Sequence, residues 1–222
     1  MSSSRRRVAA VAVVLQMALC STAGAAPATR PSRPLRAPRV ARRPSTSVPP
    51  SLSSDDARVR LVAGARAQIG VTNGYDPSYV PLAYPGGDVE RTTGVCSDVI
   101  GRALRVLGID LQVRIHEDMR ANFAQYPRRP GRTTPDSNID HRRVSNIATY
   151  FTRRGYSLPV TDNADDYLPG DIIAMKIPLD HIGIVTDRRV DGRPLVVHNV
   201  GEGAKEEDVL FAWTIVGHYR PV

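Results

Sequence analysis

Cysteine is nearly absent from this chain: 222 residues hold two, Cys20 and Cys96. That excludes a disulfide-stapled scaffold and a Cys-rich zinc module. Long apolar runs are absent too. Outside the first 26 residues no stretch reaches 18 apolar residues, so no stable membrane insertion of the mature chain is expected. The HExxH arrangement of zinc proteases is also missing, because no second histidine follows His116 at four residues. Acidic residues are missing from the first 54 positions, which hold nine arginines. Of the 30 Lys and Arg, 21 remain beyond residue 54 against 22 Asp and Glu, a net charge of −1. The basic character of the whole chain is therefore local, and the remainder is no nucleic-acid binder.

Residues 1–26 have the plan of a secretory signal: Arg5-Arg6-Arg7, an apolar core from Val8 to Leu19, and Ala23-Gly24-Ala25 as a cleavage pattern. Export to the periplasm, the cell envelope or the outside is the expectation. Residues 27–54 are rich in Pro, Arg and Ser and bury too little apolar surface to order themselves, so a disordered linker is expected. Residues 55–222 are long enough for one domain with its own core. A monomer is expected.

Cleavage of the leader removes Cys20 and leaves Cys96 alone. In an oxidising compartment a lone thiol is a liability unless it is hidden or used. Val99, Ile100, Ala103, Leu104 and Leu107 recur at helical spacing after Cys96, and Gly108 follows as a stop. Cys96 thus falls in the first turn of a helix, where free N–H groups and the helix dipole favour an anion and should lower the thiol pKa. Asp98 opposes this as a second negative charge.

Elsewhere, a helix is expected from Asp55 to Gln68, with Val59, Leu61, Val62, Ala65 and Ile69 on one side and Ser53, Ser54 or Asp55 as its cap. A loop from Val71 to Thr93 follows, with Tyr75, Tyr79 and Tyr84 expected to pack over a surface as the rim of a groove. Shorter helices are expected near Ile115–Phe123 and Ser145–Arg153. Leu168-Pro169-Gly170-Asp171 is a turn leading to strands at Ile172–Met175, Asp180–Val185, Leu195–Asn199 and Phe211–Tyr219, with 187–193 as a hairpin loop. The class is α+β, helices first and an antiparallel sheet last. The hairpin brings His181 and His198 to one end of adjacent strands. Cys96 as nucleophile, His181 as general base and His198 as orienting group (Asn199 as the alternative) form a thiol-hydrolase set. A metal site drawn from His116, His141, His181, His198 and His218 matches no standard ligand spacing. No cofactor is expected.

Tyr84, Gly86-Gly87, Cys96-Ser97, Leu168-Pro169-Gly170-Asp171-Ile172, His181-Ile182-Gly183-Ile184 and Val197-His198 resemble, in order, the landmarks of NlpC-type cell-wall peptidases. Two positions depart from that pattern: Val95 stands where an Asp is usual and Asp98 where a Gly is usual. Across residues 57–222, the stretches Tyr75–Tyr79, Gly94–Cys96, Pro135–Arg143, His198–Gly201 and Gly217–Tyr219 resemble the bacterial domain-of-unknown-function 1287 family. The resemblance to the peptidases implies a papain-like fold and a secreted Cys-His-His amidase or endopeptidase acting on peptidoglycan peptides. Tyr84, Asp98 and His141 are then expected on the substrate side. The alternative is a non-catalytic envelope- or peptidoglycan-binding module that retains the fold.

Overall fold

The computed structural model describes residues 52–222. The expected signal and all but the end of the expected linker lie outside them. The first helix, α1 (Ser54–Arg66), is capped by Ser53, whose hydroxyl accepts from the Asp56 N–H at 3.1 Å, with Asp55 and Asp56 favourable in the first turn. It begins one residue earlier and ends two earlier than its apolar pattern suggests. Leu61, Val62 and Ala65 are buried, but Val59 points to solvent and Ile69 falls beyond the last turn. No helix or strand lies between Val71 and Val95.

Helix α2 (Cys96–Arg105) buries Val99, Ile100, Ala103 and Leu104, and its exit reaches Gly108 at φ +74°, as the periodicity requires. Helix α3 (Leu111–Asn122) starts a full turn before the expected Ile115, because the Asp110 carboxylate caps it through the N–H groups of Gln112 and Val113. Helix α4 runs Val144–Arg153. Among the described residues no helix is long and apolar enough to cross a membrane.

The second half forms a six-stranded sheet of antiparallel pairs. Its strands are β1 (Ser157–Leu158), β2 (Ile172–Ile177), β3 (Leu179–Val190), β4 (Arg193–Asn199), β5 (Ala204–Glu207) and β6 (Thr214–Tyr219), in the spatial order β1-β6-β2-β3-β4-β5. The chain is thus α+β, with its helices in the first half and the sheet at the end. Three expectations need correction. The strands of the hairpin run on through residues 187–190, and the turn is only Asp191-Gly192, both at positive φ, the pairing that a two-residue turn needs. Residues 211–213 precede β6 rather than belong to it. The strand β5, of sequence Ala-Lys-Glu-Glu, has no counterpart in the expected layout. Asp171 of the turn before β2 is fully buried and accepts from the Leu168 N–H, His218 Nε2 and the Arg220 guanidinium, which pins the sheet's start to its last strand.

Strand alternation divides the sheet into two faces. Ile172, Ala174, Ile182, Ile184 and Val197 share the main core with α1–α4 and Cys96. Ile173, Met175, Val185 and Val196 face a smaller core with Tyr167 and Leu210.

Candidate active site

Cys96 is the first residue of α2, and its side chain is 3% exposed. Gly94, at φ +154° in a region that favours glycine, and Val95 lead into it. Valine cannot cap a helix with its side chain, so Asp98 reaches back to accept from the Val95 N–H at 2.7 Å. The same carboxylate takes a two-pronged bond from buried Arg142, with Nε and Nη2 each at 3.0 Å. Arg142 also donates to the carbonyls of Asp76 and Ser78, tying the tyrosine-bearing loop to the helix start. The oxygens of Asp98 are therefore committed to structure rather than open to substrate.

Burial pushes the Cys96 thiol up to about 11, and Asp98 adds to the shift. The N–H groups of Ile182, Ser97 and Cys96 itself pull the other way but lose. This corrects the expectation of a lowered pKa: at this helix start desolvation outweighs the amide dipoles. The sulfur sits against the backbone of Ile182, the residue after His181.

His181 and His198 are both buried and directly bonded, Nε2 to Nδ1 at 2.9 Å. His198 Nε2 lies 3.0 Å from the carboxylate of Glu207, on β5. A carboxylate only accepts, so His198 carries its proton on Nε2 and presents a bare Nδ1. His181 must then donate through Nε2, which leaves the lone pair of its Nδ1 free. The chain Glu207–His198–His181 thus fixes both tautomers. Burial, then the neighbouring His198, lowers His181 to about 3, so both rings are neutral near pH 7. Gly183 makes the pairing possible: a Cβ there would stand 2.5 Å from Val196 Cγ1 and 3.3 Å from His198 Cβ. Trp213 closes over both rings edge-on, at centroid distances of 5.8 and 5.7 Å.

Cys96 and the two histidines come to the same stretch of β3 from different sides. Ile182 faces the thiol, while His181, Gly183 and Val185 share the opposite alternation. No hydrogen bond joins the sulfur to either imidazole among the described residues. An open groove of about 530 Å³ reaches Cys96, walled by Tyr75 and Tyr79, by Arg142, Arg143 and Ser145, and by Leu179 and Asp180. Burial raises the Tyr75 hydroxyl, helped by the adjacent Cys96 and Asp98. A second groove, about 730 Å³, lies beyond Trp213 and is lined by Phe211, Lys176 and Asp162 among others.

Other expected site residues stand elsewhere. Tyr84 does not line the Cys96 groove: its hydroxyl donates to Glu117 at 2.8 Å and its ring meets His116 edge-on at 5.0 Å. His141 is buried against the charges of Asp98, Arg142, Arg105 and Asp110, with desolvation lowering it to about 4. Asn199 does not orient His181. Its Nδ2 donates to the carbonyls of Gly74 and Gly94, both at 3.1 Å, which holds the approach to Cys96 onto β4. His218 stacks on Tyr167 and bonds Asp171. Sequence reasoning missed Glu207 and Trp213. The one signal for Glu207 was its odd-even offset from Ala204 in a short charged run.

The fold and site together describe an α+β protein with a lone buried thiol at a helix start and a carboxylate-anchored histidine pair on the adjoining sheet. The chain belongs to the DUF1287 family, a domain of unknown function, whose model matches residues 62–221. It is similar to YijF, an uncharacterized protein of Escherichia coli (strain K12), with 53% identity over 181 residues, 79% of this chain and 88% of that one.

Proposed function

We propose that this chain is an exported thiol hydrolase of the papain-like, NlpC-type group, cutting amide bonds in cell-wall peptides with Cys96 as nucleophile. The observation that carries the reading is the Glu207–His198–His181 hydrogen-bond chain, which leaves the base nitrogen of His181 free on the strand residue next to the one the sulfur touches. Export rests on the plan of residues 1–26.

In this reading a peptide lies in the groove between the tyrosine loop and the start of β3. The thiol proton passes to His181 Nδ1 through water around the edge of β3, because the ring and the sulfur lie on opposite alternations of that strand, as sulfur attacks the amide carbon. The Cys96 N–H helps to hold the oxyanion. The imidazolium is stabilised by His198 and, behind it, by the Glu207 charge. It then protonates the leaving amine, and water hydrolyses the thioester.

The direction of the two shifts sets the resting protonation of the site. Burial raises the thiol and lowers His181, so both shifts oppose proton transfer between them in the empty site. The neutral thiol and neutral imidazole are therefore the favoured resting forms, and the proton leaves the sulfur only once substrate is bound.

The test is mass spectrometry of peptidoglycan digested by the purified protein and by Cys96→Ala. New peptide ends with the first and none with the second support the reading; identical digests overturn it. A second reading, a wall-binding module that keeps the fold, is favoured by the 3% exposure of Cys96 and its high pKa. It predicts binding without cleavage, unchanged in Cys96→Ala.

A further inference from the structure

The lining of the Cys96 groove includes three arginines, Arg129, Arg142 and Arg143. Arg129 lines both this groove and an adjoining one of about 470 Å³ that also holds Arg128 and Arg132. Arg143 stands in the wall of the first groove. The acidic groups around them are few and largely engaged. Asp136 takes Arg132 at 3.0 Å and also accepts from Tyr79, and Asp140 lies 3.6 Å from Arg143. Asp180 pairs with Lys176, and Asp98 with Arg142. Arg128 and Arg129 have no ion-pair partner among the described residues. Burial and the like charges of Arg129 and Arg132 hold the Arg143 guanidinium below its ordinary value, against Asp140 and Asp136. Unpaired Arg128 and Arg129 beside the paired Arg132 and Arg143 leave net positive charge along a groove that leads to a thiol, and this selects for an anion there. Guanidinium forks match a carboxylate in two-point geometry, and Tyr75 and Tyr79 supply flat walls for an extended chain.

We propose that the groove takes an anionic peptide, with a carboxylate seated on Arg129 and Arg143 while the chain passes Cys96. This rests on reading the groove as a peptide site, and it adds the charge of the substrate and the residues that read it.

The experiment uses the full chain carrying Cys96→Ala, so that binding is measured without turnover. The probe is a dansyl-labelled tetrapeptide with one Glu and a free C-terminus, compared with its Gln, C-terminally amidated twin. The acidic peptide is expected to bind at least tenfold more tightly at low salt, with the preference shrinking as salt rises. Arg129→Gln, at an exposed position, should remove most of the preference, and Arg129→Glu should reverse it. Equal binding of the two peptides, or a preference that survives both variants, overturns the proposal. Displacement of the acidic peptide by inorganic polyphosphate at equal charge concentration overturns the peptide assignment in favour of a phosphate polymer. The unmodified chain separates this from the hydrolase reading. Acid-selective binding without cleavage sinks the hydrolase and keeps the anion site. Cleavage of both peptides at equal kcat/KM keeps the hydrolase and sinks the anion site.

Discussion

The two walls of the Cys96 groove are held by opposite means. The helical wall rests on full charges: Asp98 and Arg142, both nearly inaccessible, clamp the start of α2 to the tyrosine loop. The sheet wall, entered at Leu179 and Asp180, carries neutral rings on its far face, His181 and His198, kept uncharged by burial and aligned by one carboxylate. Removing a partner from a buried ion pair leaves an uncompensated charge, whereas a neutral hydrogen-bonded pair fails when it is forced to charge. The two walls should therefore break under different insults, mutation on one side and acid on the other.

The largest effect is expected on the helical wall. Arg142→Met leaves Asp98 buried and unpaired and should cost about 3–5 kcal/mol of stability in urea unfolding. Adding Asp98→Asn should recover a good part of it. A loss below about 1 kcal/mol would mean that water reaches the pair. Acid comes next and acts on the sheet wall. His181 titrates near 3 when folded and near 6.5 when unfolded, so between those values the unfolded chain binds a proton that the folded chain does not. Stability should fall as pH drops through that window, by about 3 kcal/mol at pH 4 from this residue alone. His181→Asn should flatten the slope, and an unchanged slope would contradict a neutral buried ring. Gly183→Ala sharpens the comparison further. Its methyl meets Val196 at 2.5 Å, so about 1–3 kcal/mol is expected, together with loss of the downfield imidazole N–H proton signal of the pair. The smallest effect concerns Cys96 itself: alkylation by iodoacetamide should be slow at neutral pH and keep rising to pH 10, without the plateau below pH 7 that a standing thiolate gives.

Much of this arrangement was legible in the residues. Helix α2 and its Gly108 stop follow from apolar spacing, and the placement of His181 near His198 follows from the expected hairpin, although its turn is Asp191-Gly192 alone and not the whole of 187–193. Local signals carried those features. The parts that escaped depend on contacts across long separations. Asp98 reads as a favourable acid in a first turn, but its commitment to Arg142, 44 residues away, decides its role. Glu207 lies in a run that reads as solvated charge, and only the pairing of β5 with β4 brings it to His198. The thiol departs from its local signal for a related reason: a helix start is a local feature, whereas the burial that overrides it is assembled by the whole core.

The proposed chemistry is tested most directly by intact-protein mass spectrometry after a rapid acid quench with a cleavable peptide. An added mass equal to the acyl fragment, mapped to the segment holding Cys96 and absent from Cys96→Ala, is the expected result. Peptide cleavage with no adduct on Cys96, or with cleavage persisting in Cys96→Ala, would contradict it.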